Sequence, residues 1–530
     1  MKTEKWFSLT AIAAIVMLVT AVAPGTALAQ DGEDALRFTQ RQPSAGARSV
    51  GFGGAGTGGV ADLSALTTNP AGLGYLQRSL FSGSLSSFGT NDDAVFRVAG
   101  SSSRAENDVA DTGLDHLAYA YRVPTRRGSF VVAAGVSRVQ TFSRELFFAG
   151  DNGVNSATEF FLPLPGEFDV EVDPGDDGVA GTEDDIFSPS FSRPLSFIGF
   201  ETFAIDLDID AFEAGADVPF FPAVTTGTVR QTGIVSEEGN MHEFSFGGAF
   251  EASRGVMVGA TVNIPYGKWE FSSTFDEVDI NNDNDGVGGT IDFDNLTWTE
   301  TVESRLVGVN VRGGVSVEAS RDLRVGFTVE TPSYYSVSED FATFLETGFD
   351  NGDAFSYGFE FDEDIGSGSF DYEIHTPWKL GAGLVFQTGA LRLLADAEFI
   401  DWSQLELDSD DFEFIQENQD ISQNLDRVVN TRFGAEYSLG NFVLRGGIGF
   451  RPDPRDIRAD LQTEATSFDR DRSYVSAGVS YVRQGQFSID FGVSGEQFDD
   501  RYVPYNVAGA PSVDEEVRRG RASLGVRIFL

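Results

Sequence analysis

The sequence predicts an all-β fold: a transmembrane antiparallel β-barrel of about 14 strands, plugged by its own N-terminal segment. Three observations carry this reading. Apolar residues recur with a period of two in block after block, tight turns alternate with long acidic connections, and after residue 29 no stretch reaches the roughly 18 apolar residues a membrane helix needs. Composition narrows the function. The 530 residues include 60 glycines, 47 phenylalanines and no cysteine, and 82 acidic against 37 basic residues give a net charge of −45. Without cysteine there are no disulfides, thiolate metal sites or cysteine nucleophiles. So negative a chain repels phosphate backbones, which argues against nucleic acid as a partner.

Residues 1–29 read as an export signal. Lys2 and Lys5 precede an apolar run from about Leu9 to Ala23, and Ala27-Leu28-Ala29 supplies small residues at a cleavage site. Residues 30–76 differ in texture, with Gly46, Gly51, Gly53, Gly54, Gly56, Gly58 and Gly59 crowded among alanines and Val50, Phe52, Val60, Leu63 and Leu66. Glycine permits close backbone approach, so the segment is expected to pack inside a lumen as a plug.

From residue 77 to 530 the alternation takes over. Phe244, Phe246 and Phe250 share one face of their block, opposed by Glu243, Ser245, Gly247 and Ala249; Phe487, Ile489, Phe491 and Val493 oppose Ser488, Asp490 and Ser494. The spacing predicts strands near 77–89, 115–123, 129–141, 242–252, 255–273, 298–319, 322–338, 369–387, 390–404, 427–438, 441–451, 473–483, 486–498 and 516–530. Short connections such as Arg254-Gly255, Thr388-Gly389 and Leu439-Gly440 alternate with long acidic ones, the largest spanning 141–240. Short turns on the periplasmic side and long extracellular loops are the signature of an outer-membrane barrel in a diderm bacterium.

Particular residues then suggest a family. The run Ser44-Ala45-Gly46-Ala47-Arg48-Ser49-Val50-Gly51-Phe52-Gly53-Gly54-Ala55, followed by Asn69-Pro70-Ala71-Gly72-Leu73, resembles the N-terminal hatch of the FadL/TodX outer-membrane transporters of hydrophobic compounds. Gly239-Asn240-Met241-His242-Glu243-Phe244, Thr331-Pro332-Ser333-Tyr334-Tyr335 and Thr376-Pro377-Trp378-Lys379-Leu380 resemble barrel segments of the members typical of Bacteroidetes. The resemblance spans most of the mature chain and departs from the family in the very long second loop. It implies a monomeric 14-stranded barrel in outer-membrane lipid, closed by the hatch. Such a barrel takes up fatty acids or other hydrophobic small molecules by passive diffusion and releases them sideways through the wall. It also implies a gating role for Asn69, Pro70, Ala71 and Gly72. A related barrel serving as a shuttle or interaction platform in protein secretion is the alternative.

Among residues facing the lumen, Arg312, Arg324 and Arg445 are candidates to hold a ligand carboxylate, although nearby acids favour ion pairs between strands and between hatch and wall. No cofactor is implied, with one exception. Asn281, Asp283, Asp285 and Asp292 fall at positions 1, 3, 5 and 12 of a calcium-loop pattern, and Asp173, Asp177 and Asp184 form a weaker copy. Catalysis has little support. The three histidines, His116, His242 and His375, sit on separate blocks with no nucleophile motif beside them.

Overall fold

The computed structural model describes residues 32–98, 101–175, 178, 182, 184–282, 292–358, 366–410, 413–455, 470–483 and 485–530. The segment read as an export signal lies outside them. A single antiparallel sheet of fourteen strands closes on itself. Its strands are β1 (Leu80–Val98), β2 (Ser101–Arg122), β3 (Phe130–Asn152), β4 (Val229–Ser253), β5 (Val256–Asp279), β6 (Phe293–Glu318), β7 (Leu323–Glu330 and Tyr334–Phe349), β8 (Ser367–His375 and Lys379–Thr388), β9 (Leu391–Asp401), β10 (Arg427–Leu439), β11 (Phe442–Arg451), β12 (Arg472–Arg483), β13 (Phe487–Tyr502) and β14 (Ser512–Phe529). Closure comes from β1 pairing β14, from Leu80 opposite Phe529 to Arg97 opposite Ser512.

The outer wall is apolar in a way water would not tolerate. Leu85, Phe246, Phe327, Phe433, Ile448, Val475 and Leu524 are each more than half exposed and all point outward. On β5 to β7 this belt ends at outward-facing ion pairs joining Lys268, Glu270, Glu303, Arg305 and Asp340. That charged rim marks where the wall leaves the hydrocarbon. A tilted membrane strand takes about 9–11 residues, whereas β5 has 24, so its upper part stands above the rim.

This corrects the expected boundaries. The stretch near 90–114, read as a loop, is the upper part of the β1–β2 hairpin, paired up to Val98 opposite Ser101. The loop expected over 141–240 is shorter, because β3 runs on to Asn152 and β4 starts at Val229. In water the strand no longer needs an apolar face toward lipid, so alternation of hydrophobicity stops while the strand continues. The described residues between 153 and 228 fold into a head of short hairpins and two helices (Pro194–Glu201 and Ile209–Glu213). Its Phe161 and Ile198 are buried with Phe96, Phe148, Phe275 and Trp298 of the raised strands.

Two further features of the wall bear on passage. β7 and β8 are both interrupted at one level, at Thr331-Pro332-Ser333 and Thr376-Pro377-Trp378, where a proline has no N–H for the ladder. The ladder resumes through Ser333 N donating to Thr376 Oγ1 at 2.8 Å and Thr376 N to Ser333 O at 3.0 Å. The second feature is a parting. β2 pairs β3 only from His116 opposite Ser137 to Arg122 opposite Val131. Above that point β3 stays paired to β4 along its length, bulging at Val139, and crosses to β1, where Thr90 Oγ1 donates to Ser143 O at 2.9 Å.

Candidate functional site

The N-terminal segment fills the lumen. Helix α1 (Gly32–Thr39) sits at the upper level, its Phe38 edge-on to Trp269 and Phe142 with ring centroids 5.6 and 6.0 Å away. Buried aromatic and aliphatic residues of β5 to β10 surround it, among them Tyr335, Tyr372, Ile400 and Trp402. The chain then descends to helix α2 (Ala47–Gly51) and to two 3-10 turns, Leu63–Leu66 and Pro70–Tyr75, all of them buried.

Side chains of the wall fasten this segment by its backbone. Asp396 Oδ2 accepts from the N–H groups of Gly56 and Thr57 at 2.7 and 2.8 Å. Ser316 donates to Gly58 O and Tyr474 to Gly53 O. Asn69 is fully buried and caps the Pro70–Tyr75 turn by accepting from Ala71 N at 3.0 Å. Its amide donates to Thr57 O at 2.7 Å and to Val315 O of β6 at 3.2 Å. Gly314 and Gly326 make this possible, because a Cβ at either position would strike the Asn69 side chain. Pro70 occupies the first position of the turn, and Ala71 packs with Tyr75 and Met257. A Cβ on Gly72 would meet Val60 O.

The lumenal arginines are engaged by acids. Glu436 takes both oxygens to Arg48 and also accepts from Arg392 and Arg445 at 2.7 Å each. Arg312 pairs with Glu330 and Glu243 and donates to Leu66 O at 2.7 Å. Arg324 lies 4.0 Å over the Tyr75 ring, near Glu318. All three carboxylate candidates from the sequence are therefore tied to the plug or to neighbouring acids, and the free cationic surface lies elsewhere. Arg472 and Arg519 stack on Phe498 at 4.3 and 5.2 Å, and among the described residues neither forms an ion pair. Nothing in the sequence distinguished them from the other arginines, since their freedom depends on Glu496 being taken by Arg451.

Two cavities flank the descending chain. One of about 110 Å3 is strongly polar, lined by Arg41, Arg312, Lys379 and Arg432 together with Glu243, Glu330 and Glu398. The other, about 60 Å3, is lined by Phe88, Gln140, Thr141, Arg451, Arg472, Tyr474, Arg519 and Arg521, with Glu496 as its acid among the described residues. Gln42, Pro43 and Ser44 border both, so this stretch of the plug is the partition between them. Gln140 and Thr141 belong to the stretch of β3 that has parted from β2. The second cavity therefore reaches from the plug to the seam in the wall.

The calcium patterns fall largely outside the described residues, which omit Asp177, Asp283 and Asp285. Asn281, Asp292, Asp173 and Asp184 are described, and among the described residues no group of three or more His, Asp or Glu is arranged to hold a metal. The histidines are dispersed. His116 is buried against Ser137 at 2.9 Å, His242 stacks on Tyr266, and His375 stands beside Glu373.

Comparison with known proteins agrees with this architecture. No curated protein matches the sequence. Among solved structures, a FadL homologue of Pseudomonas aeruginosa aligns over 92% of this chain and 98% of its own at 13% identity with a TM-score of 0.51. The toluene transporters TodX of P. putida (12% identity, 92% of this chain and 99% of that one, TM-score 0.48) and TbuX of Ralstonia pickettii (14%, 92% and 99%, 0.46) are also similar. The family description "Outer membrane protein transport protein (OMPP1/FadL/TodX)" matches residues 232–515, more than half of the sequence. With a closed fourteen-stranded wall belted by apolar side chains, the chain belongs to the FadL/TodX family of outer-membrane transport proteins for hydrophobic compounds, and it is not an enzyme.

Proposed function

We propose that the protein carries an amphipathic hydrophobic solute, of the fatty-acid type, passively past the outer-membrane surface and releases it sideways between β2 and β3. The observation that supports this is the second cavity, which touches both the plug partition and the parted wall. A hydrophobe has no favourable path down an open aqueous channel, whereas partial burial at about 25 cal/mol per Å2 makes each enclosed step downhill from water. The seam starts at Arg138, opposite His242, whose ring stacks on the half-exposed Tyr266 at the top of the apolar belt. A solute leaving there enters the outer leaflet past Arg138 and Val139, which also border the polar cavity. The acid head of such a solute matches Arg472 and Arg519, which form no ion pair among the described residues.

The reading is tested in proteoliposomes with labelled oleate as the solute. Protein-dependent entry that saturates, with no steady ion conductance in planar bilayers, is the expected result. A large constant conductance would instead describe an open pore and overturn the plugged route.

A further inference from the structure

Resting on the reading that solute leaves between β2 and β3, we propose that Arg138 and Asp111 form a latch across that seam and that the plug controls it through Gln42. Arg138 is the last β3 residue before the Val139 bulge, and it is almost wholly buried. Its guanidinium crosses the parting to pair with Asp111 of β2, beyond the last rung of the β2–β3 ladder at His116 and Ser137. Where main-chain hydrogen bonds end, this side-chain pair takes over the closure.

The surroundings are shaped for it. Gly113 stands on β2 where a Cβ would overlap the Arg138 guanidinium, so a bare backbone at that position is what admits the cation. Phe88 of β1 receives Arg138 on its ring at 5.4 Å and Arg521 at 4.9 Å. The ring thus ties the latch to β14, where Arg521 pairs with Asp115 and donates to Ser44 O of the plug at 2.8 Å. The plug also holds the kink itself. Gln42 N donates to Val139 O at 2.8 Å, one residue from the latch. Any shift of Gln42 to Ser44, the partition between the two cavities, pulls on Val139 and so on the register of Arg138 against Asp111. Entry of solute into the cavity and opening of the wall are coupled through that hydrogen bond. A salt bridge suits this role, because it breaks and reforms without unravelling a strand.

The absence of cysteine from the chain provides a clean test. Asp111→Cys/Arg138→Cys protein, joined by a reductant-cleavable bis-maleimide in proteoliposomes, is expected to lose at least nine-tenths of oleate entry and to regain it on cleavage. Separately, Asp111→Asn and Arg138→Gln should each raise entry about fivefold, and the exchanged pair Asp111→Arg/Arg138→Asp should return it toward the original rate. If cross-linking stops entry but the single variants and the exchange pair all behave like the parent, the exit stands and the latch is overturned. If the cross-linked protein passes oleate at the full rate, the exit between β2 and β3 falls, and the latch with it. Heat-modifiable migration in gels checks that each variant is a closed barrel. Should a single variant fail to assemble, the other single variant and the exchanged pair decide the latch, while the cross-linked and cleaved forms of one sample decide the exit.

Discussion

Arg48 of the plug and Glu436 of β10 form a two-pronged pair, with Nη2 at 2.9 Å from both carboxylate oxygens. Both are buried, and Arg392 and Arg445 converge on the same carboxylate. A buried charge left with no partner costs roughly 3 to 5 kcal/mol, and because Arg48 keeps Asp62 as a second acid the loss of Glu436 costs less than that.

Glu436→Gln should therefore loosen the plug from β10 and β11 without opening the outer sheet. Chemical denaturation is expected to show a lowered midpoint, and planar bilayers should show conductance bursts absent from the parent. An unchanged midpoint would mean that water satisfies the three arginines and that Glu436 is not the anchor.

Asn69 anchors the plug differently, through one cap and two backbone carbonyls. Loss of the cap and of buried hydrogen bonds sums to about 1–3 kcal/mol. Asn69→Ala should reduce oleate entry while heat-modifiable barrel assembly is retained. Asn69→Asp, which keeps the capping oxygen but cannot donate to Thr57 O and Val315 O, is expected to be at least as impaired. Full entry by both variants would remove any gating role for this residue.

The strands and the fasteners differ in how far the sequence exposed them. Phe244, Phe246 and Phe250 alternate with small or polar partners because lipid on one side and plug on the other impose opposite preferences. Above the membrane the outer side is wet while the inner side packs on the head, and nothing in Gln231-Thr232-Gly233 announces that β4 continues there. Asn69 and Pro70 stood out because Asn69-Pro70-Ala71-Gly72-Leu73 resembles the hatch motif of the family, and the structure adds that Asn69 caps the turn that Pro70 begins. Arg138, Asp111 and Gly113 did not stand out. Their meaning depends on β3 leaving β2 at Ser137, and that is set by contacts of β3 with β1 and the plug, far away in sequence. Arg312, Arg324 and Arg445 were candidates for a ligand carboxylate, but the acids interleaved with them already favoured ion pairs, and Glu330, Glu243, Glu318 and Glu436 engage them.

Arg472 and Arg519 offer a direct test of the head group. With Phe498 between them and Glu496 held by Arg451, they should distinguish an acid from a neutral hydrocarbon. Arg472→Gln/Arg519→Gln is expected to weaken oleate binding about tenfold, equivalent to ~1.4 kcal/mol, and to leave toluene entry within twofold of the parent. Equal loss for both solutes would indicate a structural role for the arginines.

The head carries a titrating anchor. Glu277 of β5 lies nine residues beyond Lys268 of the charged rim and is fully buried. Its carboxylate accepts from Ser156 Oγ, from Gln231 and from Ala157 N at 2.8 Å, joining the loop after β3 to β4 and β5. Burial dominates these bonds and pushes its carboxyl up to about 7 from an ordinary 4.5. Because the folded value exceeds the unfolded one, the stabilising contribution is complete below about pH 4.5, declines as pH rises toward 7 and is absent above it. The size of the effect is at most on the order of 3 kcal/mol. Hydrogen exchange over 153–165 should therefore be slower at pH 5 than at pH 8 after correction for the intrinsic rate. Glu277→Gln cannot ionise and should abolish that difference. If the variant keeps the parent's pH dependence, another group holds the head to the barrel.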